Sequence, residues 1–226
     1  MQYQLVDKPD FAVIQVRFDQ PGEQLIAESG AMVARDAGIE MKSSIQGGLG
    51  GALKRKMLGG ESLFQNTFTA ARGPGEVTLA PSMMGDVRVR EMDGHDFLLT
   101  SGAYLASSPT VEMQTKWGGM KSFFAREGLF LLRAHGAGTL LFCCYGALVE
   151  VEVPPDGYVV DTGHVVAFEP TLDYEVRKVG GMKSLLLSGE GLVCRFSGHG
   201  RLWLQTRSMD AFVGELVPRL PTRASS

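Results

Sequence analysis

The sequence predicts an all-β fold of three structural repeats with pseudo-threefold symmetry, a β-sandwich or barrel-like body carrying one short C-terminal helix. Three observations predict it. Apolar residues alternate or form short β-branched runs between Gly and Pro, as in Val87-Arg88-Val89 and Arg201-Leu202-Trp203-Leu204-Gln205-Thr206, the period of strands rather than helices. Glycine reaches 29 of 226 residues, nearly twice the background of about 7%. Landmarks also recur along the chain: Gly75, Gly138 and Gly200 fall 63 and 62 residues apart, and a fixed period of this kind marks a repeat architecture.

Each element follows from its copies. An alternating strand opens the units as Val13-Ile14-Gln15-Val16-Arg17, Val87-Arg88-Val89-Arg90 and Val149-Glu150-Val151-Glu152-Val153. A second strand ends at Ser29-Gly30, Ser101-Gly102 and Thr162-Gly163, and a third follows as Ala31-Met32-Val33-Ala34, Ala103-Tyr104-Leu105-Ala106 and His164-Val165-Val166-Ala167. Pro109-Thr110-Val111-Glu112-Met113 matches Pro170-Thr171-Leu172-Asp173-Tyr174, and Gly119-Met120-Lys121-Ser122 matches Gly181-Met182-Lys183-Ser184. Each unit closes on a Gly-x-Gly, Gly73-Pro74-Gly75, Gly136-Ala137-Gly138 or Gly198-His199-Gly200, which we read as a tight hairpin supplied with positive φ. The units span approximately 10–84, 85–147 and 148–208 of a single domain, 1–226. Their inner faces are expected to share one core around the pseudo-threefold axis and to pair most edges. After Ser208, a plausible N-cap, Met209, Phe212, Val213, Leu216 and Val217 follow helical spacing until Pro218, predicting a helix over about 209–217 laid against the barrel.

Composition excludes several classes. Hydrophobic residues at 44% and charged residues at 21% rule out a disordered or fibrous chain. Lys plus Arg is 22 against 25 for Asp plus Glu, and the net charge of −3 gives no global attraction to nucleic acid or an acidic membrane. Three cysteines, two of them the neighbours Cys143 and Cys144, argue against a disulfide framework. The beginning Met1-Gln2-Tyr3-Gln4 followed by Asp7, Lys8, Pro9 and Asp10 has no secretory pattern, so a reduced cytoplasmic protein is expected.

The run Phe97-Leu98-Leu99-Thr100-Ser101-Gly102-Ala103-Tyr104-Leu105-Ala106-Ser107-Ser108-Pro109-Thr110-Val111-Glu112 carries a family resemblance. So do Thr115-Lys116-Trp117-Gly118-Gly119, Asp161-Thr162-Gly163-His164-Val165-Val166-Ala167-Phe168-Glu169 and Gly59-Gly60-Glu61-Ser62-Leu63-Phe64-Gln65-Asn66-Thr67-Phe68. From Tyr3 to about Ser208 the chain resembles the bacterial branch of the altered-inheritance-of-mitochondria family, whose members have a tryptophan-RNA-binding-attenuator-like fold. The resemblance implies an all-β fold of three repeats and no established activity. Mitochondrial relatives are associated with inner-membrane organisation and respiratory-chain biogenesis, and no catalytic residues are implied.

Motifs that suggest chemistry have structural readings. Asp161-Thr162-Gly163 spells the aspartic-protease triplet, but Glu28-Ser29-Gly30 and Thr100-Ser101-Gly102 occupy the same place, so we read a turn. Walker A needs Gly-Lys-Ser/Thr directly before a helix, whereas Met120 and Met182 intervene here. Lys54, Lys121 and Lys183 remain candidates for an anion or partner contact near the axis. His95, His135, His164 and His199 are too scattered for a metal set. Glu61, Glu127 and Glu190 read as turn carboxylates. Alternation puts one of Cys143 and Cys144 in the core and one outside.

The first unit carries an insert, 46–60, in which Leu53, Lys54, Arg55, Lys56, Met57 and Leu58 have a composition suited to an anionic headgroup region or a partner. Pro81-Ser82-Met83-Met84-Gly85 adds an apolar loop tip for a partner surface. The leading expectation is a non-enzymatic interaction or scaffold module, without a cofactor. Its expected partners are an unidentified protein, other copies of itself as a homo-oligomer, and, peripherally, an anionic membrane. The alternative is a small anionic-ligand-binding or enzymatic β barrel. Nucleic acid is not expected, because basic residues do not interleave with aromatics on any one strand.

Overall fold

A computed structural model of the chain describes residues 1–9, 11–45, 64–115, 130–178 and 192–221. The first stretch forms β1 (Gln2–Val6), β2 (Val13–Phe18), β3 (Gln24–Glu28), β4 (Met32–Arg35), β5 (Ile39–Ile45), β6 (Phe64–Ala70) and β7 (Gly75–Leu79). The second forms β8 (Val87–Asp93), β9 (Phe97–Thr100), β10 (Tyr104–Ser107), β11 (Val111–Thr115) and the long β12 (Leu131–Cys143). The third forms β13 (Leu148–Glu152), β14 (Tyr158–Asp161), β15 (Val165–Phe168), β16 (Leu172–Lys178), β17 (Leu192–Gly198) and β18 (Arg201–Gln205), followed by α1 (Met209–Leu216). Among the described residues the fold is mostly β, in several antiparallel sheets, with one short C-terminal α-helix. Strand alternation carries the burial: Ile14, Val16 and Phe18 of β2 are fully buried while Arg17 is exposed, each large apolar side chain contributing about 1.5–3 kcal/mol.

The ladders recur in the same order in the three stretches. In the first, β7 lies between β2 and β4, and β6 between β3 and β5. In the third, β18 lies between β13 and β15, and β17 between β14 and β16. In the second, β12 does both: Leu131–Gly136 pair with β9 and β11, and Ala137–Cys143 with β8 and β10.

This pairing corrects the reading of the Gly-x-Gly segments as hairpins. The strands on either side of each do not pair with each other, so the glycines form a corner at which one chain passes between two ladders. Gly136 and Gly138 hold φ of 117° and 142° inside the continuous β12. At Gly136 a Cβ would lie 2.2 Å from the Thr110 carbonyl oxygen, so both the dihedral and the space demand glycine there.

Two short ladders join the stretches, β3 to β10 and β9 to β15. Among the described residues no ladder joins β4 to β14, so the sheets are not closed into a ring. Nor do the described residues form the expected single shared core. The apolar interior divides into three clusters, centred on Ile14, Phe18 and Phe68, on Phe97, Phe142 and Trp203, and on Phe168, Phe196 and Leu202. Each cluster is built mainly from one stretch and closed by side chains of the next, Leu105 and Leu141 entering the first and Val166 and Trp203 the second.

That layering also corrects the expectation for the cysteines. Cys143 and Cys144 point to opposite faces, but each face is covered by a different cluster and both thiols are buried. Burial pushes Cys144 up to about 11, Cys194 to about 12, and Cys143 in the same direction. All three are protonated near neutral pH and are poor nucleophiles.

Glu28, at the end of β3, is pushed up to about 7 by burial. A carboxyl whose folded pKa exceeds its unfolded value costs nothing below about pH 4.5 and its full ionisation penalty above about pH 7, so it lowers stability as pH rises across that window. Glu28→Gln is expected to leave urea stability at pH 4.5 within about 0.5 kcal/mol of the parent and to raise it by on the order of 2 kcal/mol at pH 8. Equal differences at the two pH values would contradict this assignment.

Candidate functional site

Several residues singled out in the sequence lie outside the described residues: Lys54, Lys121 and Lys183, the segment Leu53, Lys54, Arg55, Lys56, Met57 and Leu58, and Glu61, Glu127 and Glu190. Among those described, Asp161-Thr162-Gly163 forms a turn. The Asp161 carboxylate accepts from the Gly163 N–H at 2.8 Å at the start of a one-turn 3-10 helix, Thr162–His164, and the Thr162 hydroxyl donates to the Leu192 carbonyl. The same 3-10 turn recurs at Ser101–Ala103. His95 contacts Asp93 at 2.9 Å, His135 contacts Asp96 at 2.7 Å, and the His164 ring meets the Gln205 carbonyl at 2.7 Å. The three histidines are held apart by these separate partners.

The structure brings together an apolar cleft and α1. The cleft, of about 260 Å³, lies where the 81–83 loop, the end of β12 and the start of α1 meet, and is lined by Met83, Ala103, Cys143, Cys144, Tyr145 and Met209 among others. Gln205 and Thr100 of its lining are already engaged within the protein. The Gln205 side chain accepts from the Tyr145 N–H at 2.9 Å and donates to the Gly163 carbonyl at 2.8 Å, and the Thr100 hydroxyl donates to the Val166 carbonyl. Asp210 is the one charged residue of the lining, so the cleft suits an apolar group and not the anion considered for the lysines.

Ser208 caps α1 by accepting from the Ala211 N–H at 3.5 Å, as its sequence position predicts. The helix expected against the body touches it only along one edge, and none of its residues is buried. Met209, Phe212, Val213, Leu216, Val217 and, one turn on, Leu220 are between 39% and 56% exposed. The Phe212 ring meets Tyr145 edge-on at 6.2 Å, and Met209 reaches the cleft. The neighbouring loop adds Met84, 53% exposed. The apolar spacing of 209–217 and the loop tip at 81–85 were both visible in the sequence. The cleft was not, since its walls come from segments up to about 130 residues apart and no single one of them is distinctive.

Comparison with known proteins agrees with the architecture. A model of the family described as Mitochondrial biogenesis AIM24 matches residues 3–207. Uncharacterized protein M6_Spy0233 of Streptococcus pyogenes serotype M6 is 29% identical over 233 residues, covering 100% of this chain and 93% of that protein. The crystal structure of protein SPYM3_0169 from Streptococcus pyogenes superposes with a TM-score of 0.81 at 26% identity, covering 97% of this chain and 99% of that one. With a match running over almost its whole length, this chain belongs to the Mitochondrial biogenesis AIM24 family.

Proposed function

We propose that the protein is a non-enzymatic interaction or scaffold module that binds a protein partner through the apolar face of α1 and the adjoining 81–84 loop. The observation that carries this reading is the exposure of six apolar side chains at helical spacing, Met209 to Leu220, beside an apolar cleft. Contiguous apolar surface of this kind is costly to leave in water and marks contact sites. The charges within α1 are Asp210 and Glu215, which favour a protein partner over an anionic bilayer for this face. A peripheral contact of Leu53, Lys54, Arg55, Lys56, Met57 and Leu58 with anionic lipid belongs to the same proposal and is supported by composition alone. The three unbridged, buried cysteines suit a reducing, cytoplasmic setting.

The test is photo-crosslinking in cells, with a benzophenone side chain substituted at Phe212 and, as control, at the exposed Glu112 of β11. A discrete adduct is expected at the first position and not at the second. Val217→Asp in the same chain is expected to cut its yield at least about tenfold, corresponding to roughly 1.4 kcal/mol of lost contact. No adduct above the control would overturn the reading, as would turnover of a metabolite by the purified protein that is lost on one polar substitution. For the lipid contact, flotation with anionic vesicles is expected to fall when Lys54, Arg55 and Lys56 are replaced by Ser.

A further inference from the structure

β4 stands apart from its counterparts. β10 pairs with β12 through Tyr104↔Phe142 and Ala106↔Leu141, with a bulge between, and β15 pairs with β18 through Val165↔Leu204 and Ala167↔Trp203, with the same bulge. β4 repeats this on β7, with Met32↔Leu79, Ala34↔Thr78 and the bulge at Val33. The three bulged residues have the same chemistry and different surroundings. Leu105 is 0% exposed and Val166 1%, but Val33 is 60% exposed. The whole of β10 and β15 is buried, and the whole of β4 is exposed.

The difference lies in what covers the outer edge. Ala106 and Ser107 of β10 pair with Ala27 and Ile26 of β3, and Ala167 and Phe168 of β15 pair with Leu99 and Leu98 of β9. Leu105 and Ala106 thereby enter the apolar cluster of the first stretch, and Val166 and Ala167 that of the second. The strand corresponding to β3 and β9 in the third stretch is β14, with Val160 and Val159 at the matching positions. It pairs only with β17 among the described residues, Val159 is 58% exposed, and the third cluster receives no side chains from a following strand. Among the described residues the chain therefore leaves two unmatched halves of a junction that it makes twice internally.

We propose that a second copy of this chain completes the junction, β4 of one copy pairing antiparallel with β14 of the next in the register Ala34↔Val160 and Arg35↔Val159, with Val33 entering the neighbour's third cluster. A threefold rotation between successive stretches would have brought β4 and β14 of one chain together after two steps. It has not, so the contact is heterologous and propagates from copy to copy, closing into a ring or continuing as a filament. The junction is a short ladder around one bulged side chain, without the covalent linkage that holds it inside the chain, so association in the micromolar range is expected. It uses no residue of α1 or of the 81–84 loop.

Sedimentation velocity of the full chain from about 1 to 500 µM is expected to show concentration-dependent growth beyond the monomer. Val33→Asp and Val159→Asp each remove one half of the junction. Both positions are exposed, so melting temperatures should stay within a few degrees of the parent, and each variant alone should sediment as a monomer. Mixed, they retain one intact junction, β14 of the first variant with β4 of the second, and should give dimers and nothing larger. A parent that stays monomeric throughout, a mixture that stays monomeric while the parent assembles, or assembly unaffected by either variant would overturn the proposal. Loss in Val33→Asp with none in Val159→Asp would also overturn it, because that pattern belongs to a two-fold contact of β4 with itself.

Discussion

Gly136→Ala is expected to cost about 2–5 kcal/mol. Two terms add. A φ of 117° is unfavourable for any residue with a Cβ, by about 1–2 kcal/mol, and the new methyl would sit 2.2 Å from the Thr110 carbonyl oxygen, a contact backbone must move to relieve, at about 1–3 kcal/mol. The protein contains its own controls. Gly198 has φ of 102° and a Cβ there would lie 2.9 Å from the Thr171 carbonyl oxygen, while Gly22 has φ of 85° with nothing within 4 Å. Urea unfolding should rank Gly22→Ala mildest, at about 1–2 kcal/mol, Gly198→Ala next and Gly136→Ala most severe. Equal costs for all three would mean that the corner between the ladders is not closely packed.

Asp86→Ala is expected to destabilise by about 3 kcal/mol. Asp86 is fully buried; its carboxylate accepts from the Val87 N–H at 2.9 Å and faces the Arg88 guanidinium at 2.5 Å. Its backbone also ties the 81–86 loop to β12, donating to the Gly146 carbonyl and accepting from the Cys144 N–H. Removing the carboxylate strands a buried N–H and a partly buried cation. Because Arg88 is 40% exposed and can be hydrated, the loss falls at the lower end of the range for a broken buried pair. Asp86→Asn, which keeps an acceptor for Val87, should cost about half as much. Equilibrium unfolding of both variants measures this, and a loss under about 1 kcal/mol for Asp86→Ala would contradict the assignment.

Strand identity was legible because alternation is a local signal: Val13-Ile14-Gln15-Val16-Arg17-Phe18 and Arg201-Leu202-Trp203-Leu204-Gln205 fold as they read. The cap at Ser208 was legible for the same reason. Partner choice was not. A Gly-x-Gly with positive φ fits a hairpin and a corner equally well, and only the non-local ladders of β6, β7 and β12 decide between them. Exposure was hidden too. Val33, Leu105 and Val166 are interchangeable as sequence, yet one is in solvent and two are in cores, because burial there depends on a neighbouring stretch. The α1 face looked like a core-facing stripe because apolar spacing reports a preference for leaving water and not what supplies the cover.

The claim on which the functional account rests is that α1 presents an unpartnered apolar face, and amide hydrogen exchange of the purified full chain at low micromolar concentration tests it most directly. An eight-residue helix with no buried side chain is marginal in water. The account predicts exchange of the α1 amides within seconds to minutes, against hours for the amides of β12, and slowing of α1 when the partner captured at Phe212 is added. Protection of α1 comparable to that of β12 in the isolated protein would mean that the face is already covered, and would contradict the account.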